Sequence, residues 1–171
     1  LCLHLKEAGF TNLTYVYNGQ AGSGTRWVHN IKGFCSTQKI QSVAFDSKNL
    51  PMKKFDAVIG NPPFQSLEHG SKTNNVWSKF LSWSFKNSDY VSLVLPGAAL
   101  APSTFSKYKE FVTGVDLDVK KHFPGVGSTF CTLTLDRNTK SRFIIVNNSD
   151  GSFKVRRSTT DFISLSHSKG L

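Results

Sequence analysis

The segment Asn61-Pro62-Pro63-Phe64 holds residue types suited to binding an amino group on an aromatic ring. An exocyclic amine of a base is a poor nucleophile because its lone pair is delocalised into the ring. The Asn61 side-chain oxygen and the Pro62 carbonyl can accept both amine hydrogens, which favours the tetrahedral nitrogen that attacks a methyl group. The prolines hold that carbonyl rigidly, and the Phe64 ring can stack on an extruded base with about 1–3 kcal/mol. We predict that these four residues form a catalytic pocket.

The residues before this segment predict its position in the fold. Residues 55–59 (FDAVI) form an apolar run typical of a buried strand, and Gly60 follows it. Consecutive prolines cannot donate to a sheet ladder and they lock φ, so the chain must turn where the strand ends. In a parallel sheet flanked by helices, ligands bind at the carboxyl ends of the strands. We therefore expect Asn61 and Phe64 at the mouth of a cleft.

The order of elements along the chain predicts the fold class. Strands and helices alternate in the first two thirds of the sequence and consecutive strands follow, which is typical of a mostly parallel sheet finished by antiparallel strands. We predict a doubly wound α/β domain of this kind. The predicted helices cover residues 1–9, 25–34, 76–86 and 103–112, and the predicted strands cover residues 13–17, 39–45, 55–59, 90–95, 115–123, 130–135, 143–146 and 153–156.

Composition limits the class of protein. The 171 residues carry a formal charge of +10, which favours a polyanionic partner such as nucleic acid. The apolar runs are far shorter than the roughly 20 residues that a spanning helix needs, so we expect no membrane span and a cytoplasmic protein. The three cysteines and five histidines are scattered without the short spacings of metal ligands, and we assign no metal.

With its strand context, the Asn-Pro-Pro-Phe segment resembles the catalytic motif of the N6-adenine DNA methyltransferases, in which Asp, Asn or Ser precedes Pro-Pro and an aromatic residue. The likeness extends from roughly Val43 to Leu135 and includes the loop over residues 123–129. It implies a Rossmann-like methyltransferase domain over residues 1–157, followed by a polar tail over residues 158–171. It also implies transfer of a methyl group from S-adenosylmethionine to adenine in DNA, as part of a modification system.

The same resemblance implies where the cofactor binds. Asp46 matches the residue that contacts or lies beside the adenine ring of S-adenosylmethionine, with Phe45 or Leu50 as the apolar side of that slot. Asn18 stands where many relatives carry an acid that binds the ribose hydroxyls, and Asn61 is also expected to bind the cofactor. The glycine-rich turn of the family has no convincing copy, because residues 19–24 lie too near Asn61. On this interpretation the first strand precedes Leu1, and the domain is truncated at its start.

Basic residues in the second half of the chain predict contacts with DNA. Such contacts go chiefly to phosphates and position the duplex without reading its sequence. The residues expected to make them are Lys120, Lys121, His122, Arg137, Arg142, Arg156 and Arg157, with Lys140 and Lys154 among them.

Two other functions fit the same residues. Enzymes that methylate RNA bases or a glutamine amide in a protein also use Asn-Pro-Pro-aromatic turns. A non-catalytic, nucleic-acid-binding remnant of a methyltransferase is favoured by the absent glycine-rich turn.

Overall fold

The computed structural model describes residues 1–18, 26–45, 54–64, 75–125 and 128–164. The chain divides into two compact units: unit 1 comprises Leu1–Met52 and Gln65–Asn74, and unit 2 comprises Lys53–Phe64 and Asn75–Leu171. The sequence predicts one domain over residues 1–157 and a polar tail thereafter, whereas unit 2 continues into that tail. There Ile163 is 2% exposed and its amide donates to the Leu100 carbonyl at 3.3 Å. The described part of the tail, residues 158–164, is therefore anchored on unit 2.

Unit 1 is built around one parallel strand pair. Its elements are α1 (Cys2–Glu7), β1 (Thr14–Asn18), α2 (Arg26–Thr37) and β2 (Gln41–Phe45). The β-branched and aromatic side chains before the first glycine-rich stretch favour β1, and the helix that follows supplies the crossover that parallel strands need. The register ends with Asn18 opposite Phe45, so both strands finish at the same edge.

Unit 2 is built around a mixed sheet of six strands. Its elements are β3 (Phe55–Gly60), α3 (Val76–Asn87), β4 (Ser88–Pro96), α4 (Pro102–Tyr108), β5 (Val112–Asp116), β6 (Phe130–Asp136), β7 (Phe143–Asn148) and β8 (Gly151–Arg156). The strand order is β3-β4-β6-β5-β7-β8. Strands β3 and β4 are parallel, as are β5 and β7, while β6 runs antiparallel to both of its neighbours and β8 to β7. The expected α/β class with antiparallel C-terminal strands is confirmed.

One predicted strand lies elsewhere. The sequence predicts a helix over residues 103–112 and a strand over 115–123, whereas α4 ends at Tyr108 and β5 covers Val112–Asp116. The Asp116 carboxylate accepts the Asp118 amide at 2.8 Å, and the chain then enters a 3₁₀ turn at Val119–His122. A local side-chain hydrogen bond thus replaces the sheet ladder that an extended chain would have made.

The core of unit 2 lies on one face of its sheet. Leu93 and Leu95 of β4 and Leu133 and Leu135 of β6 are 0% exposed, which reflects the two-residue period of strands. Phe105 of α4 is also fully buried. None of the helices within the described ranges is both long and apolar enough to cross a membrane.

Candidate functional site

The Asn-Pro-Pro-Phe segment forms the turn that leaves β3. Gly60, the last residue of β3, lies in register with Leu93 of β4. Asn61 follows it and is exposed, Pro62 is buried, and Pro63 and Phe64 are half-buried. The buried, rigid Pro62 therefore fixes the turn against the rest of the protein, while the Asn61 carboxamide is exposed to solvent.

Three phenylalanine rings lie in a row beside this turn. The ring centroids of Phe64 and Phe130 are 5.2 Å apart, and those of Phe123 and Phe130 are 5.5 Å apart. Phe130 is 6% exposed, whereas Phe64 and Phe123 are half-buried. Tilted rings at these distances attract each other beyond simple area burial. Phe130 is thus a buried ring against which two half-buried rings pack. We call these three phenylalanines the aromatic row.

The sheet brings the aromatic row together at one edge. In the antiparallel pairing of β4 with β6, Pro96 lies opposite Phe130, and the Gly97 amide donates to the Thr129 carbonyl at 3.0 Å. Strand β5 runs antiparallel to β6 and so ends at the same side. The carboxyl ends of β3, β4 and β5 therefore meet the start of β6, and we call this side of the sheet the carboxyl edge.

A short turn positions Phe123 on the carboxyl edge. The 3₁₀ turn Val119–His122 follows β5, and the Phe123 amide closes it by donating to the Lys120 carbonyl at 2.9 Å. Gly125 then adopts a φ of +83°, a left-handed conformation that side chains disfavour. Neither Phe123 nor Phe130 was predicted from the sequence to be a site residue. The sequence did carry one signal, the resemblance of residues 123–129 to a loop of the methyltransferases. Phe123 begins this loop and Phe130 directly follows it.

Three of the predicted DNA-contacting residues also lie on the carboxyl edge. Lys120, Lys121 and His122 are exposed in the 3₁₀ turn directly before Phe123. The Lys121 ammonium donates to the Asp118 carboxylate at 2.6 Å, and this hydrogen bond and charge raise the pKa of Lys121. Because the pair is exposed, its energetic value is small. Lys120, Lys121 and His122 therefore lie directly before Phe123, and phosphate contact by them stays a prediction.

Arg137 and Arg157 are engaged inside the protein. The Arg137 guanidinium lies over the Phe85 ring at 4.0 Å from its centroid and donates to the carbonyls of Ser88 and Phe85. Arg157 is 7% exposed and donates to the carbonyls of Val112, at 2.8 Å, and Ser141. The sequence prediction that these two contact phosphates is thus not supported by their surroundings, because both guanidinium groups bind backbone carbonyls.

The remaining predicted cations lie away from the aromatic row. Arg142 precedes β7 and Arg156 ends β8, and both are exposed. Since β7 runs parallel to β5 and β8 antiparallel to β7, Arg142 and Arg156 lie at the side of the sheet opposite the carboxyl edge. The structure therefore separates the predicted DNA-contacting residues into two groups.

The residues predicted to bind the cofactor are partly described. The backbones of Asn18 and Phe45 lie opposite each other at the carboxyl ends of β1 and β2 in unit 1. That end of a parallel pair is where this architecture binds ligands, so their placement fits a cofactor site. Asp46 and Leu50 lie outside the described residues.

Two further groups of potentially reactive side chains occur among the described residues: the buried thiol of Cys131 and the metal-ligating residue types. Burial raises the pKa of the Cys131 thiol to about 12, so at neutral pH it is a protonated, inert core side chain. Within the described ranges, no cluster of three or more His, Cys, Asp or Glu residues could hold a metal ion.

Comparison with known proteins shows a shared fold. No protein family and no curated protein matches the sequence. The M protein of the type I restriction enzyme EcoKI superposes with a TM-score of 0.58 at 15% identity, over 79% of this chain and 35% of that protein. Weaker similarity extends to a type I restriction-modification methyltransferase subunit from Streptococcus thermophilus, at a TM-score of 0.45, 12% identity and coverage of 63% and 29% of the two chains. Thermoplasma acidophilum protein 1320 superposes with a TM-score of 0.48 at 14% identity, over 78% of this chain and 71% of that protein. The chain thus spans about a third of the EcoKI protein, and the fold predicted from the resemblance to methyltransferases is confirmed.

Proposed function

We propose that this chain carries the amino-binding part of a methyltransferase site that acts on N6 of adenine in DNA. The observation that carries the proposal is the environment of the turn after β3. An exposed Asn61 carboxamide follows a parallel strand, and the half-buried ring of Phe64, three residues further along the same turn, packs against the buried Phe130. A turn that carries both an acceptor and an aromatic ring suits a planar base with an exocyclic amine.

The residues of the turn would act by holding the amine. The Asn61 side-chain oxygen and the Pro62 carbonyl accept its two hydrogens, which draws the nitrogen lone pair out of conjugation with the ring. Phe64 stacks on the base, and Phe123, on the other side of Phe130, extends the aromatic surface. No protein group has to remove a proton before the amine reacts.

S-adenosylmethionine would supply the methyl group when bound. Asn18 and Phe45, whose backbones close the carboxyl ends of β1 and β2, are the described residues that we propose for its ribose and adenine side. Asp46 is proposed with them from its sequence position alone.

A nucleic acid is favoured over a protein acceptor by two observations. The net charge of +10 suits a polyanion, and exposed Lys120 and His122 lie just before Phe123 of the aromatic row, where they can bind phosphates flanking an extruded base. The fold shared with the M protein of a type I restriction enzyme supports the same substrate class.

Competition between acceptors tests the proposal. The protein is incubated with S-adenosylmethionine carrying a labelled methyl group and with adenine-containing duplex DNA, RNA and a glutamine-containing peptide in one reaction. We expect label in DNA only, recovered as N6-methyladenine after digestion. Label chiefly in RNA or peptide would replace the DNA assignment with one of those alternatives. No label, together with no calorimetric heat from S-adenosylmethionine at millimolar concentration, would identify a non-catalytic remnant.

A further inference from the structure

The hairpin formed by β7 and β8 lies at one lateral edge of the sheet of unit 2. One of its faces is exposed to solvent. Along β7, Ile144 and Val146 are 0% exposed, while Phe143 and Ile145 between them are 42% and 48% exposed. The two-residue period of a strand puts these two groups on opposite faces. A Phe and an Ile are thus left open to solvent on one side of a well-packed strand.

The neighbouring strand adds positive charge to the same face. In the register of the hairpin, Phe143 lies opposite Arg156 and Ile145 lies opposite Lys154, and both cations are exposed. Directly opposed side chains in an antiparallel pair are about 4.5–5.5 Å apart at Cβ and share one face. We call Phe143, Ile145, Lys154 and Arg156 the hairpin face.

No ion pair among the described residues neutralises the charge of the hairpin face. Among the described residues the ion pairs are Lys109 with Asp161 and Lys121 with Asp118, so neither Lys154 nor Arg156 takes part in one. Exposed Lys140 and Arg142 precede β7 and add to the charge. Asp150, in the turn of the hairpin, and Asp116, opposite Asn147, lie toward the other end. Asp161, which follows β8, pairs with Lys109.

We propose that the hairpin face binds an unpaired nucleic-acid strand, with phosphates on Lys154 and Arg156 and a base on Phe143. The two uncompensated cations favour a polyanion. The exposed ring favours an unpaired strand over a duplex, because stacked and paired bases do not offer their faces to a side chain.

This binding surface is separate from the proposed methyl-transfer site and does not depend on it. Arg156 and Phe143 lie at the end of the sheet opposite the carboxyl edge, and the intervening strand length of five or six residues corresponds to roughly 20 Å. The Asn61→Ala substitution should therefore leave binding at the hairpin face unchanged.

Fluorescence anisotropy with labelled oligonucleotides tests the proposal. The probes are a 20-nucleotide poly-dT strand and a duplex of equal length, titrated at several salt concentrations. We expect the K154A/R156A variant to raise the Kd for poly-dT at least tenfold and to reduce the salt slope by about 1.4, or about 0.7 for each lost phosphate contact. We expect Phe143→Ala to raise that Kd about fivefold, the loss of one stacked base. The charge-matched control K79A/K107A removes exposed lysines of α3 and α4 and should change the Kd less than threefold.

Three results would overturn the proposal. An equal loss in the control variant would mean that only net charge matters. An unchanged Kd of poly-dT for Phe143→Ala, or an equal rise in the Kd of the duplex for that variant, would exclude stacking of an unpaired base at the hairpin face. Concentration-dependent dimerisation in sedimentation, abolished by Phe143→Ser, would identify a second copy of the chain as the occupant instead.

Discussion

The ring of Phe64 packs against the ring of Phe130, with 5.2 Å between their centroids. Phe64 lies in the turn that follows β3, whereas Phe130 is the first residue of β6. Strand β4 lies between β3 and β6 in the sheet. This contact ties the turn that carries Asn61 to a distant part of the sequence. The geometry of the turn therefore depends on the sheet as well as on its prolines.

Removal of the buried ring should weaken the whole of unit 2. Phe130 is 6% exposed, so we expect Phe130→Ala to lower the free energy of unfolding by about 3–5 kcal/mol, the sum of lost transfer and cavity terms. Phe143→Ala, at a ring that is 42% exposed, is the matched control and should cost much less. Urea unfolding followed by circular dichroism measures both, and equal losses would show that Phe130 is not a support of the fold.

The two half-buried rings of the aromatic row, Phe64 and Phe123, should stack on an extruded base. We expect Phe64→Ala and Phe123→Ala each to weaken binding of DNA that carries a mismatched target base by about fivefold or more, because one stacking surface for that base is lost. The fluorescence of 2-aminopurine at the target position reports extrusion directly. Unchanged fluorescence in both variants would remove the aromatic row from the substrate site.

Arg156 and Arg157 are neighbours in sequence with different surroundings. Arg157 is buried and binds the Val112 and Ser141 carbonyls, so we expect Arg157→Ala to lower the free energy of unfolding by about 1.5–3 kcal/mol. Arg156 is exposed, and its substitution should change stability by less than about 0.5 kcal/mol. Thermal unfolding of the two alanine variants checks the difference, and the reverse order would contradict the assigned surroundings.

The buried thiol of Cys131 predicts a dependence of stability on alkaline pH. Its folded pKa, raised to about 12 by burial, exceeds the ordinary value, so its contribution is full below pH 9 and is lost as the pH rises toward 12. In Cys131→Val this loss should be absent. The difference in unfolding free energy between wild type and variant, measured from pH 8 to 11, should therefore change with pH, and a constant difference would exclude the raised pKa.

The sequence predicts the positions of the apolar strands best, because their apolar runs need no partner to be recognised. Strands β3, β4 and β6 follow from residues 55–59, 90–95 and 130–135. The prediction that β3 is buried is wrong, because all of its residues are exposed or half-buried. The end of β5 was not predictable in this way, since the hydrogen bond between Asp118 and Asp116 competes with the ladder locally.

Placement of side chains across strands requires the register. Arg137 and Arg157 have the same charge as Arg142 and Arg156, and only the fold shows that the first two bind backbone carbonyls. The aromatic row depends likewise on the pairing of Pro96 with Phe130, which no local pattern specifies.

The central claim, that the Asn61 carboxamide holds the reacting amine, is tested most directly by methyl transfer with Asn61→Ala. Asn61 is exposed, so the variant should fold and bind DNA as the wild type does. We expect its rate of methyl transfer from S-adenosylmethionine to adenine N6 to fall by at least a hundredfold, the effect of removing one positioned hydrogen-bonding group from a transition state. A folded variant with wild-type activity would contradict the account.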